Sequence, residues 1–298
     1  MRRTSALLLL PLLFLAGCLA ASQADRSAEV SADAASGEVP ESTVGASRID
    51  GDLAGTNDPA SHASFVEKTK DSGGSGYDAD TVLAVRYGLH GDYERAVIDL
   101  GTGEEPAGTV PEWTLASPEG DRLLRVNLPS ASATCVSDGE FGNGLLKSFH
   151  VVRAAEGGMF VDIFARKPFR YRAFGLEDPA RLVVDFEPTG EDPNLPPPAQ
   201  GGDTVLVEPR PNSVISDPLT VSGYSRNLEA SNTITLTVPR GKILARRTVR
   251  SNDWSHTWGY FEATLDLPPF SGKGTLKVGT GSAHDGSFEG TQIPVWAG

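Results

Sequence analysis

Apolar and polar positions alternate with a period of two through much of the C-terminal part of the chain. In Thr233-Ile234-Thr235-Leu236-Thr237-Val238 every second residue is apolar and threonines stand between. Phe261-Glu262-Ala263-Thr264-Leu265-Asp266-Leu267 repeats the arrangement with acidic residues interspersed. A strand built this way buries one face and wets the other. Similar short runs at residues 205–207, 219–221, 243–249, 275–278 and 292–295 predict about seven strands over residues 204–298, the spacing of a two-sheet sandwich. Upstream, residues 82–87 and 95–100 flank the turn Gly88-Leu89-His90-Gly91-Asp92 and read as a hairpin. Further strands are expected at 123–128, 149–153, 159–165, 170–174 and 181–186, the last entered through Asp178-Pro179. No segment carries a sustained helical period with caps, so the fold class is all-β: two β-sandwich-like domains, 78–188 and 204–298, the second immunoglobulin-like. Between them, residues 189–203 hold Pro193, Pro196, Pro197, Pro198, Gly201 and Gly202, a stiff spacer with a loose end.

The pattern is different at the start. Arg2 and Arg3 precede an apolar run over residues 6–14 that is broken only by Pro11, and Leu15-Ala16-Gly17-Cys18 follows. The run is too short to span roughly 30 Å of hydrocarbon, so residues 1–17 read as a cleaved signal peptide. Leu-Ala-Gly before a cysteine resembles the lipobox of bacterial lipoproteins. That resemblance implies cleavage before Cys18, lipidation of this cysteine with diacylglycerol on its thiol and a further palmitate-type chain, and attachment to the outer face of the cell membrane. An ordinary secretory signal is the alternative. Residues 18–77 are rich in Ala, Ser, Gly, Asp and Glu and poor in aromatics, the composition of a disordered acidic stalk after the lipidated cysteine. About sixty flexible residues have an r.m.s. span of roughly 45 Å.

The formal charge of the chain is -13, and loss of Arg2 and Arg3 makes the mature chain more acidic still. Such a chain repels phosphate backbones, which argues against nucleic acid as a partner. With Cys18 acylated, Cys135 has no disulfide partner in the chain, and it reads as a small residue at least partly buried. His62, His90, His150, His256 and His284 are scattered, with no paired cysteines and no zinc-type spacing. Gly272-Lys273-Gly274-Thr275 lacks the spacing of a phosphate loop. The expectation is a protein that is not an enzyme, with no catalytic residues, metal or cofactor.

Two sets of residues are candidates for binding. Trp254, His256, Trp258 and Tyr260 occupy alternate positions, so in an extended segment they share one face. Either they form a platform for sugar rings or they fill the sandwich core, and the second reading is favoured. Lys242, Arg246 and Arg250 alternate along one predicted strand and either meet an anionic wall polymer or form a solvated outer face. Arg95, Asp99, Arg181 and Asp185 are placed for exposed cross-strand ion pairs.

Two family resemblances extend this reading. Val207-Glu208-Pro209-Arg210-Pro211-Asn212-Ser213-Val214, Ser216-Asp217-Pro218-Leu219-Thr220-Val221-Ser222-Gly223, Trp258-Gly259-Tyr260-Phe261, Ser282-Ala283-His284-Asp285-Gly286-Ser287 and Ile293-Pro294-Val295 together make the second domain similar to the immunoglobulin-like domain of bacterial spore germination. At Pro239-Arg240-Gly241-Lys242 the family's acidic residue before the turn glycine is missing. The first domain resembles the AMIN-like domain of bacterial lipoproteins through the run from His90 to Leu100, Pro168-Phe169-Arg170, and the run from Leu176 to Phe186. These resemblances imply an extracytoplasmic protein that binds or positions peptidoglycan, another wall polymer or envelope proteins. The alternative they imply is a wall hydrolase, or a regulator of one, in germination or wall remodelling.

Overall fold

β-strands dominate the computed structural model, which describes residues 64–66, 70–117, 121–190, 195–281 and 285–298. The predicted signal peptide, Cys18, and the stalk up to residue 63 lie outside the described residues.

The first module packs two sheets around one core. In the six-stranded sheet, β11 (Phe169–Leu176), β12 (Arg181–Pro188), β3 (Tyr93–Thr102), β2 (Thr81–His90) and the short β7 (Ala133–Thr134) lie in that order, with β4 (Glu105–Pro106) beside β3. The β2–β3 hairpin turns at Gly91-Asp92, as its sequence predicts. Val82, Val85, Ala96, Ile98, Leu100, Leu182, Val184 and Phe186 point inward. Facing them are β1 (Lys70–Gly73), β5 (Trp113–Ala116), β6 (Leu123–Leu128), β10 (Met159–Ala165) and β9 (Leu146–Arg153), with β8 (Asp138–Glu140) on β9. Leu124, Val126, Leu128, Leu146, Phe149, Val151, Val161 and Ile163 complete the core.

The second module is a sandwich. β18 (Trp258–Leu265), β15 (Leu219–Ser225), β14 (Thr204–Glu208) and β13 (Ala199–Gly201) form one layer. β17 (Lys242–Arg250), β16 (Ser231–Val238), β19 (Gly272–Gly281) and β20 (Phe288–Ala297) form the other. The apolar rows read from the alternation, such as Ile234 and Leu236, or Phe261, Ala263 and Leu265, meet in its core.

Three expectations about domain limits are corrected. Residues 70–77 were expected in the stalk, but Lys70–Gly73 pairs with β5, and nearby Val66 bridges Tyr171. The spacer does not end loosely, since Ala199–Gly201 pairs with β14. The modules are also not beads on a string. β9 and β18 pair in parallel, Trp258 opposite Val152 and Gly259 opposite Arg153, so the two layers become one ten-stranded sheet.

One face of that sheet curls onto itself. Leu123, Val152, Phe160 and Phe164 from the first module pack with Val205, Tyr224 and Trp258 from the second in a third apolar core. This accounts for β10, where every residue of Met159-Phe160-Val161-Asp162-Ile163-Phe164-Ala165 is buried. One side faces the first core and the other the junction. Burial of each large side chain there contributes about 1.5–3 kcal/mol. Two ion pairs lie at the junction: Arg125 makes a double hydrogen bond to Asp162 at 2.7 and 2.8 Å, its guanidinium 3.8 Å from the Phe160 ring centroid. Arg210 donates to both oxygens of Asp121, at 3.2 and 2.7 Å.

Candidate functional site

The segment joining β17 to β18, residues 251–257, is organised by one carboxylate. Asp253 Oδ1 accepts the backbone N–H groups of Trp254, Ser255 and His256 at 2.7, 3.1 and 3.2 Å, while its Oδ2 accepts Arg153 Nε of the first module at 2.9 Å. Burial alone would raise the Asp253 pKa. The Arg153 bond and the N–H groups of His256 and Trp254 outweigh it and hold the group below the ordinary value. Asn252 ties the same loop to both modules, donating to Ala154 O at 2.8 Å and accepting Tyr260 N–H at 2.9 Å. Gly259 is required by contact: a Cβ there would lie 2.1 Å from Asp253 O.

The loop so fixed presents Trp254, 38% exposed, beside Leu228, 58% exposed. With Asp203, Arg226 and Ser255 they line an open groove of about 590 Å³. Arg226 is held by the first module, donating to Ser137 Oγ at 3.0 Å and lying 3.5 Å from Asp138 Oδ2. Burial would raise the Asp138 pKa, but hydrogen bonds from Trp258 and Ser137 prevail and lower it. An indole on a backbone held in place and an isobutyl group, beside one carboxylate and one guanidinium, can stack on a ring and hydrogen-bond its substituents.

The predicted row Trp254, His256, Trp258 and Tyr260 is therefore not one face, because the strand begins only at Trp258. Trp258 is buried in the junction, edge-on to His150 at 4.6 Å, and donates through Nε1 to Asp138 at 2.9 Å. His256 is exposed, next to Ser255 Oγ at 3.0 Å. Tyr260 is half-buried; burial first, and then Glu262, which accepts its hydroxyl proton at 2.7 Å, push its pKa up to about 12. Only Trp254 of the four lines the groove.

The basic row is corrected as well. A bulge between Leu236 and Thr237 shifts the register of β17, so Lys242 lies opposite Val238 while Arg246 and Arg250 lie opposite Thr235 and Ser231. Lys242 thus falls in the row of Leu236 and Ile234, and the other two in the opposite row. All three are exposed. Arg95 does pair with Asp185, at 2.6 and 3.0 Å, but the pair is buried rather than exposed, and Arg172 joins it at 2.8 Å. Of the other two residues expected in such pairs, Asp99 pairs with Arg86 at 2.5 Å, and Arg181 Nε donates to Pro179 O at 3.2 Å. Cys135, expected at least partly buried, is exposed.

Asp253, Arg226, Leu228, Asp203 and Arg153 were missed from the sequence. Asp253 carried a signal: an aspartate followed by a polar residue two positions on is placed to accept local N–H groups and fold the chain out of a strand. Among the described residues, no three His, Cys, Asp or Glu side chains cluster to hold a metal ion.

Comparison with known families assigns the module that carries the groove. Residues 205–287 match the immunoglobulin-like domain of bacterial spore germination. The matched part of this germination domain runs from within β14 to just before β20 and takes in Arg226, Leu228, Trp254 and Ser255, but not Asp203. It covers less than a third of the 298 residues. No curated protein and no solved structure matches the chain.

Proposed function

We propose that the protein is a non-catalytic lipoprotein of the cell envelope, held at the outer face of the cell membrane through Cys18, that binds or positions a wall or surface component. The observation that carries the binding step is Trp254, exposed on a loop that Asp253 and Arg153 fix in advance of any ligand. A loop whose backbone is already held loses little backbone freedom on binding, which favours recognition of weakly interacting, ring-bearing polymers. The lipobox-like Leu-Ala-Gly-Cys18 supports the anchor, and the AMIN-like sequence of the first module supports a wall-directed role. Titration with soluble peptidoglycan fragments, followed by tryptophan fluorescence and calorimetry, tests the site. The expected result is saturable binding that Trp254→Ala weakens about 3- to 10-fold, the worth of one ring-stacking contact. Unchanged affinity in that variant would remove the groove from the account.

The germination-domain match favours one second reading, a wall hydrolase or a regulator of one. Zymography on purified cell wall separates them: a cleared band from the pure protein establishes the hydrolase and overturns the non-catalytic reading.

A further inference from the structure

The first module has its own cavity, of about 500 Å³, remote in sequence from the Trp254 groove. The β2–β3 turn supplies Leu89, His90, Asp92 and Tyr93, and the loops at 143–145 and 166–167 close it. Its walls are built. His90 and Tyr93 stack with ring centroids 4.9 Å apart and planes 7° from parallel. Glu94 is consumed in shaping the cavity: its two carboxylate oxygens accept Leu145 N–H at 2.5 Å and Leu146 N–H at 2.8 Å. Backbone forms the wall at Gly144, where a Cβ would stand 2.1 Å from Glu94 Oε1.

Arg166 and Lys167 in its lining are the unusual feature. In a chain of charge -13, most arginines of this module are neutralised: Arg86 by Asp99, Arg95 and Arg172 by Asp185, Arg125 by Asp162, Arg170 by Glu187. Arg166 instead donates to the Gly142 carbonyl, and among the described residues no carboxylate pairs with it or with Lys167. The same lining holds the exposed Asp92 and Leu89. Asp92 accepts hydroxyl protons, Leu89 and Pro188 offer apolar surface, and the cations accept an anion.

We propose that this cavity binds an anionic saccharide unit, a sugar ring bearing a phosphate or a carboxylate. The charged group lies at Arg166 and Lys167, and the hydroxyls lie towards Asp92 and Asn143. The assignment stands on residues separate from the Trp254 groove and goes beyond that reading.

Amide NMR titrations of the unlipidated chain test it, with glucose 6-phosphate, glucuronic acid, glucose and inorganic phosphate as probes. At least one sugar anion should perturb the amides of residues 89–94, 143–145 and 166–167, at least tenfold more tightly than glucose or phosphate alone, and added salt should weaken it. The preferred anion tells phosphate from carboxylate. Lys167→Gln, and the double change Arg166→Gln with Lys167→Gln, should each weaken binding with unchanged thermal melting, while Trp254→Ala should leave it intact. The proposal is overturned if glucose or phosphate alone binds as well as the sugar anions, if no probe shifts those amides, or if a folded Lys167→Gln protein binds as the wild type does.

Discussion

At the scale of single residues, His150 shows how the junction constrains chemistry. It lies in the buried face of β9, opposite Asp162 and among Trp258, Tyr224 and Phe164. Burial lowers its pKa to about 4; Asp138 and Asp162 oppose that shift, and Lys147 adds to it. The neutral imidazole is therefore the folded form, and its Nδ1 has no hydrogen-bond partner. The unfolded chain takes up this proton near pH 6.5, so stability is complete above that value and declines as pH falls towards 4, by up to about 3 kcal/mol. Denaturant melts between pH 7 and 4.5 should show the wild type losing more stability than His150→Phe; parallel pH profiles would remove His150 from the acid response. The same scale shows why the aromatic row misled. Alternation places side chains on one face only where the backbone is extended, and Asp253 folds the backbone at Trp254 to His256.

At the scale of elements, strands with an apolar row were legible, and strands held mainly by backbone bonds were not. β10 and β16 were recovered because their side chains decide their burial. Lys70-Asp71-Ser72-Gly73 was read as stalk because it has no such row. It is an edge strand, paired to β5 and continued by Ser75 and Gly76 N–H groups that donate to Val110 O at 3.1 and 2.8 Å. Ala199-Gln200-Gly201 was missed in the spacer for the same reason. With Val66 bonded to Tyr171 at 2.9 and 3.0 Å, residues 64–66 and 70–76 strap the edges of both sheets of the first module. At about 0.5–1.5 kcal/mol net per hydrogen bond, a chain starting at residue 78 should be at least about 2 kcal/mol less stable than one starting at residue 64. Equal denaturation midpoints and slopes would show that the strap adds nothing.

At the scale of the whole molecule, the two modules were legible and their fusion was not, although β10 carried the sign of it. A strand apolar on both parities needs cover on both faces, and its outer face is covered by the second module. Fixing the modules together also fixes the Trp254 groove, since Arg153, Ser137 and Asp138 reach across to Asp253 and Arg226. The described residues belong to one compact unit. They should unfold in a single transition, and Arg210→Ala, which leaves the Asp121 carboxylate buried without that partner, should destabilise both modules together by about 3–5 kcal/mol. Two resolved transitions in calorimetry would contradict the fusion.

The proposed role of this fused body is to bind the wall through a prearranged groove. Co-sedimentation of residues 19–298 with purified peptidoglycan sacculi at about 0.15 M salt, where long-range charge effects are largely screened, tests it most directly. The protein is expected to pellet with the sacculi, and a folded Trp254→Ala variant to pellet less, with an apparent affinity about 3- to 10-fold weaker. Wild type that remains in solution, or a variant that pellets equally well, would contradict it.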